Sequence, residues 1–370
     1  MRFWGVLVAL GISLILQAQD SFKFKFRSRA LLDASVASFQ GQKYQGYYRL
    51  EDFRLGFKAG YRNMEMKADI GLGGGKLAIK DLVLQAAWGH HIVTLGNAYD
   101  PFSMDMLIST ADLRFHQPAT SVLAFTDSRK LGITWHYQMS SFYVASGIYT
   151  YNDLNKIGVN QRNSFVSTSR AVWRRKLALG SLLHLGGAFS FRTAPVNQDM
   201  FCKEVSAVGV TAMFPEPLLH TSFTDAGKEY KGVLEALIFG RRYLVQGEYY
   251  LNRYQLQGHK KYRPHGGYLQ ASYLLMGRNF LYDTTFAVPG RPVSDQALEL
   301  TVRFNYTDLN DDAAAVWGGA EKDFSMGLNF YLNAYVGFKI SGSYVWLGKH
   351  CAKAYQKNYF IPQVRVQYIF

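Results

Sequence analysis

The sequence predicts an all-β protein: a transmembrane antiparallel β-barrel of sixteen strands. Three observations predict it. Apolar and polar residues alternate along runs of ten or more residues, with no convincing helical period. The chain is rich in aromatics (15%) and glycine (34 residues) but holds only nine prolines, the mixture that long strands with aromatic girdles and glycine-containing turns produce. After residue 19 no stretch approaches the roughly 18 continuous apolar residues of a spanning helix. A chain of this kind crosses lipid only as a closed barrel, because open sheet edges go unsatisfied there.

The elements follow in order. Residues 1–19, MRFWGVLVALGISLILQAQ, place Arg2 before an apolar run from Phe3 to Leu16, with a cleavage point after Ala18 or Gln19. That is the pattern of a secretory signal peptide, and the run is short for the alternative, a membrane anchor. Residues 20–370 then form one barrel domain. The predicted strands are 21–34, 46–59, 61–71, 77–88, 90–97, 130–139, 141–151, 165–177, 181–192, 228–240, 243–255, 266–276, 297–308, 321–333, 335–348 and 358–370. In the first, Phe22, Phe24 and Phe26 alternate with Lys23, Lys25 and Arg27. In the last, Val364, Val366, Tyr368 and Phe370 share one face and Gln363, Arg365 and Gln367 the other.

Short connections at 139–141, 240–243 and 333–335 read as periplasmic turns, and the long gaps 98–129 and 193–227 as loops of the other end. Segment 277–296, with Pro289 and Pro292, is unusually long for a periplasmic turn. Periodicity alone does not say whether the apolar face meets a core or lipid. Strand length favours lipid: many runs exceed the usual ~5–6 residues of globular strands and approach the ~9–11 that cross a bilayer.

The formal charge is +14, from 41 Lys and Arg against 27 Asp and Glu. The basic residues are spread along strands, which disfavours a nucleic-acid patch and fits the lining of an anion path. Cys202 and Cys351 are open to either a disulfide or two free thiols. Neither a metal-ligand spacing nor a cofactor motif is present; GLGGGK at 71–76 lacks phosphate-loop spacing and reads as a hairpin turn.

Four stretches carry a family resemblance: LGNAYDPFSMDML at 95–107, RKLG at 129–132, GVLEALIFGRRYLVQGEYY at 232–250 followed by GGYLQASYLLMG, and GGAEKDFSMGLNFYLN at 318–333 preceded by NYTDLND. On these residues the chain resembles the phosphate-selective porins of the O and P type, bacterial outer-membrane anion channels. The resemblance implies a barrel in the bacterial outer membrane, commonly trimeric, whose loop 98–129 enters the pore. It implies small anions such as phosphate as solutes, with outer-membrane lipid and lipopolysaccharide around the wall. The aromatic end at Phe370 resembles the signal read by barrel-assembly machinery.

By matched motif, Arg54, Asp81, Ser109, Thr110, Arg129 and Lys130 become constriction candidates, with Arg114 the basic residue after the hydroxyl pair. Arg offers a fork suited to phosphate oxygens, and hydroxyls donate to them. Alternation adds a pore-lining basic ladder: Lys23, Lys25, Arg27, Arg29, Lys58, Arg170, Arg174, Arg192, Arg303, Lys339 and Arg365. Departures from the family pattern set a broader anion preference, or general diffusion with mild anion bias, beside phosphate selectivity: Glu51, Asp52 and Phe53 stand where paired arginines are common, and ADLRFHQPA supplies only Arg114 and His116 after the hydroxyls. No bond chemistry is expected. The rival readings are a plugged structural or adhesion barrel and a barrel lipid hydrolase, the latter without a nucleophile context around His90, His91, His136 or His184.

Overall fold

The computed structural model describes residues 22–37, 45–73, 76–156, 164–195, 198–213, 216–351 and 358–370; the predicted signal peptide lies outside them. Twenty strands follow along the chain: β1 (Phe22–Ala37), β2 (Gln45–Tyr61), β3 (Met64–Gly73), β4 (Lys76–Trp88), β5 (His91–Ala98), β6 (Lys130–Gln138), β7 (Phe142–Thr150), β8 (Phe165–Lys176), β9 (Leu182–Thr193), β10 (Phe201–Ala207), β11 (Leu219–Phe239), β12 (Tyr243–Leu256), β13 (Lys261–Tyr262), β14 (His265–Met276), β15 (Phe280–Asp283), β16 (Val288–Pro292), β17 (Ala297–Asp311), β18 (Val316–Tyr331), β19 (Val336–Leu347) and β20 (Tyr359–Ile369). Two short helices, α1 (Met104–Leu107) and α2 (Thr120–Phe125), lie between β5 and β6.

Sixteen of these strands make the barrel wall, each antiparallel to its sequence neighbour in the wall, and all sixteen predicted runs are among them. The wall closes where β1 meets β20, with Arg29 opposite Ile369 and Ser35 opposite Gln363. At the foot of this seam Ser28 and Phe370 exchange two backbone hydrogen bonds, of 2.7 and 2.9 Å. Four strands lie outside the wall count. β10 and β13 extend the sheet beside β11 and β12 at the loop end, and β15 pairs with β16 in a separate hairpin.

Burial settles which way the wall faces. Along β18, Glu321, Asp323, Ser325 and Asn329 are buried, while Phe324, Met326 and Leu328 are exposed. A soluble sandwich would show the reverse, so the apolar face is the outer one and meets lipid. Exposed aromatics gather at both heights of that face, Trp88, Phe142, Tyr243 and Tyr335 near the end that carries Phe22 and Phe370, and Trp317, Trp346 and Phe360 near the other. Short turns share the end of Phe22 and Phe370, which is the periplasmic end of such barrels.

Candidate functional site

The interior is built from two inserts. Residues 99–129 leave β5 and, instead of extending outward, turn into the barrel. Glu248 of β12 accepts from the backbone N–H groups of Met104 (2.8 Å) and Asp105 (3.0 Å), holding the start of α1 with a carboxylate where its N–H groups are free. Ser121 N donates to Asn305 Oδ1 at 3.1 Å, which places α2. Wall cations then cap the loop's carbonyls: Arg303 reaches Gln117 O (3.0 Å), Arg365 reaches His116 O (2.8 Å) and Lys339 reaches Ala111 O (3.3 Å) and Leu113 O. At the loop's return, Asp127 takes Lys130 (3.2 Å), Lys203 (2.8 Å) and Lys231 (2.5 Å). Burial raises the Asp127 carboxyl, but these three lysines together hold it well below the usual carboxylate range.

The second insert comes from the periplasmic end. Segment 277–296 folds its hairpin β15–β16 up into the lumen. Arg170 donates to Phe286 O (2.7 Å) and Ala287 O (2.8 Å), Arg174 to Thr284 O (3.0 Å), and Tyr282 OH meets His184 Nδ1 at 2.9 Å. Arg114 joins the two inserts, donating to Gly290 O at 2.6 Å while its Nε lies 3.4 Å from Glu299. Together the inserts fill the lumen against β7 to β20.

Open space remains on the other side, mainly against β1 to β6, with Tyr143 of β7 and Ile369 of β20 at its borders. Three cavities of about 260, 310 and 230 Å³ share Arg27 in their linings and run from Glu51 and Leu123 at the loop end to Arg291 and Phe370 at the periplasmic end. The largest is lined by five cations, Arg27, Arg29, Arg54, Lys67 and Arg129, against three carboxylates, Glu51, Asp81 and Asp105. The other two also hold more Lys and Arg than Asp and Glu.

Local geometry builds the cationic arc. Arg29 and Arg54 face each other in register across β1 and β2, an arrangement of like charges that costs energy unless something intervenes. Asp52 intervenes, at 2.7 Å from Arg29 Nε and 3.1 Å from Arg54 Nη2. Arg29 Nη1 also donates to Ser109 Oγ (2.7 Å) and Nη2 to Thr110 Oγ1 (3.4 Å), so the wall reaches across to the loop. A bulge sets Lys80 and Asp81 together opposite Asp69 and so aims both inward. Asp81 then bridges Arg129 and Lys67, each at 2.5 Å. Arg129 also lies over the Tyr99 ring, 4.2 Å from its centroid. Burial pulls the Arg129 guanidinium down, but Tyr99 and Asp81 push it up further, so it stays charged. Gly71 leaves room for the Lys80 stem, which a Cβ there would meet at 2.7 Å. Arg27 Nη1 and Arg54 Nε are buried without a hydrogen-bond partner among the described residues. These are donors with capacity to spare.

The predicted residues divide accordingly. Arg54, Asp81, Ser109, Thr110 and Arg129 converge on the arc, joined by Arg27, Arg29 and, in the neighbouring cavity, Lys58. Lys130 and Arg114 do not reach the cavities: Lys130 is fully buried on Asp100 (2.9 Å) and Asp127, and Arg114 is 2% exposed between Glu299 and Gly290. Of the ladder, Arg170, Arg174, Arg192, Arg303, Lys339 and Arg365 point inward as alternation requires but are buried against the inserts and other partners, off the cavities. Arg365 is paired with Asp33 at 2.5 Å, Arg170 with Glu235 at 2.9 Å, and Arg192 packs over Tyr151 and Phe201. Lys23 and Lys25 sit exposed at the periplasmic end of β1, outside the cavity linings. Sequence reasoning missed Asp52, Lys67 and Tyr99. Lys67 carried the signal of inward alternation in β3, whereas Tyr99 carried none.

A family model described as phosphate-selective porin O and P matches residues 17–370. An uncharacterized protein of Caulobacter vibrioides is 27% identical over 289 residues, covering 71% of this chain; the match spans 58% of that relative's length. Among solved structures, the outer-membrane OmpT of Vibrio cholerae aligns with a TM-score of 0.61 at 11% identity, over 95% of this chain and 99% of that one. OprB of Pseudomonas putida gives 0.59 at 11% identity, over 98% and 97%. An anion-selective porin from Comamonas acidovorans gives 0.58 at 10% identity, over 94% and 100%. At these identities the structural likenesses speak for the fold.

Proposed function

The chain belongs to the phosphate-selective porin O and P family of the bacterial outer membrane, and from that premise we propose that it passes small anions, phosphate among them, along the Arg27–Arg29–Arg54–Arg129 arc. The observation that carries this reading is the excess of cations in all three linked cavities, with unpartnered donors on Arg27 and Arg54. An anion entering a narrow path sheds part of its hydration shell. Guanidinium forks and the Ser109 and Thr110 hydroxyls replace those contacts as they are lost. The arc's carboxylates weaken each contact, so the anion is handed on rather than trapped. The protein would do no bond chemistry; it lowers the cost of a wet, charged route through lipid.

Assembly as a trimer is part of the proposal, supported by the trimer form recorded for the V. cholerae OmpT. Recognition by barrel-assembly machinery is proposed from the outward Val364, Val366, Tyr368 and Phe370 face. The test of the channel is single-channel recording in planar bilayers under a salt gradient. Stable steps reversing toward the anion potential support it, and Arg29→Ala with Arg54→Ala should lower that preference. Cation-selective steps, or a closed barrel without steps, would overturn it.

A further inference from the structure

The lipid face carries a trough that the channel does not use. It is a groove of about 520 Å³ across β9, β11, β12, β14 and β17, walled outward by Leu234, Ile238, Tyr249, Leu269 and Phe304. Its floor is low because Ala236 and Gly247 are cross-strand partners and Gly267 lies opposite Tyr249. At Gly247 a Cβ would meet Tyr268 O at 2.7 Å, so the backbone itself forms the floor there. Lining of this kind fits a hydrocarbon chain.

The upper end of the trough changes character. Tyr249 and Tyr306, which line it, continue into polar groups of the rim. Tyr249 OH meets His265 Nδ1 at 3.0 Å, and the His265 and Tyr306 rings are 5.7 Å apart. Lys322 Nζ lies 5.6 Å from the Tyr306 ring centroid, and Tyr306 OH donates to Asp308 at 3.1 Å. Arg253 follows on the outward face of β12, 5.8 Å from the Tyr230 centroid. Both Arg253 and Lys322 are exposed, outward-facing cations; the Asp308 carboxylate lies by Tyr306, and Asp311 accepts from Arg263 N at 2.8 Å further toward the loops. This is the loop end of the barrel, where outer-leaflet headgroups lie. Long cationic side chains there extend along apolar surface and present their charge at headgroup level.

We propose that this trough and its rim are a binding site for one phosphorylated, acylated glycolipid of the outer leaflet, of the lipopolysaccharide type. The acyl chain lies over Ala236, Gly247 and Gly267, and phosphate oxygens take Arg253 and Lys322. Charge complementarity selects this occupant: two exposed cations at the rim suit phosphate and the trough below suits an acyl chain, whereas a neighbouring copy in a trimer would bring a different face here and is told apart by oligomeric state in the test below.

The test uses the whole barrel refolded in detergent and titrated with bisphosphorylated lipid A, with the same lipid stripped of phosphate, and with inorganic phosphate. Bound lipid is counted by native mass spectrometry. Wild-type protein retains the bisphosphorylated lipid at least about tenfold better than the stripped one, the weight of roughly 1.4 kcal/mol. Arg253→Ala with Lys322→Ala removes that difference. Ala236→Phe, which fills the trough from outside, lowers retention of both lipids, and it carries the test should the double variant fail to fold. Single-channel conductance stays unchanged in all variants, since these side chains face away from the lumen. Equal retention of the two lipids, or retention untouched by Ala236→Phe, overturns the proposal. A change of oligomeric state in Ala236→Phe assigns the face to a second copy instead, and inorganic phosphate competing fully with the lipid reduces the site to an ion contact at the rim.

Discussion

Replacing Asp52 by Asn should make the channel more anion-selective, although Asp52 itself lines none of the three cavities. Its carboxylate holds Arg29 at 2.7 Å and Arg54 at 3.1 Å, and so offsets charge within the arc. A unit charge about 4 Å from a permeating monoanion is worth about 1 kcal/mol in bulk water and about 4 kcal/mol at an effective dielectric of 20. The side chains of Arg29 and Asp52 are only 9% and 8% exposed, so water screens this charge less than it would in bulk, while the arginines in front of Asp52 lengthen its distance to the ion. Removing the repulsion therefore raises anion occupancy by roughly fivefold. Arg54→Gln removes an attractive charge at similar range and should lower it by a comparable factor. The assay is reversal potential in planar bilayers under a tenfold KCl gradient, after a heat-mobility gel confirms that each variant is folded. Asp52→Asn should shift the potential toward the anion limit and Arg54→Gln away from it. Shifts of the same sign in both, or no shift in either, would refute the claim that these charges face the ion path.

Three other outcomes follow from the interior. Arg170→Ala leaves Glu235 buried without its guanidinium and uncaps two hairpin carbonyls, so stability against denaturant should fall by about 3–5 kcal/mol, read from unfolding midpoints. Replacing residues 280–292 with a short Gly-Ser turn should raise single-channel conductance, because it empties lumen that β15–β16 now fill; unchanged conductance would place the limiting resistance wholly at the loop. His116 titrates well below the ordinary imidazole value, because burial and then Arg365 and Lys339 oppose its charge. The unfolded chain therefore binds a proton at this site that the folded barrel refuses, and stability falls as pH drops below about 6.5. His116→Gln should flatten the loss of denaturation midpoint between pH 7 and pH 5.

Most of the wall was legible because a barrel writes its geometry as a two-residue period. Each of the sixteen alternating runs overlaps a wall strand, and the 98–129 gap fell where a loop enters the lumen. Alternation reports only in or out, however. It does not say whether an inward residue meets water or another part of the protein. Arg54 and Arg365 look alike in sequence; one lines a cavity and the other is buried on Asp33 and His116 O. The difference is made by the 99–129 insert, whose His116 lies 249 residues from Arg365 in sequence. Residues 201–207 hid for a related reason: Phe201, Lys203 and Val205 share the buried side of β10, so its inner face mixes apolar and charged residues and has no clean pattern. Pro289 and Pro292 did mark 277–296 as unusual, and proline suits the outer edge of a two-stranded hairpin.

The β1–β20 seam has a consequence for how the molecule forms. Every other pairing in the wall joins strands adjacent along the wall's sequence order, so each is reached by closing a connection of limited length. The seam alone joins residues near 28 to residues near 370. Its loop-closure entropy is the largest in the molecule, and its hydrogen bonds are gained only after the rest of the sheet has drawn the two edges together. Until then both edges carry unpaired N–H and C=O groups that lipid does not satisfy. Assembly is thus a problem of sheltering two open edges, and the aromatic pair Phe26–Phe370, with ring centroids 5.8 Å apart, lies at the foot of the seam where those edges meet.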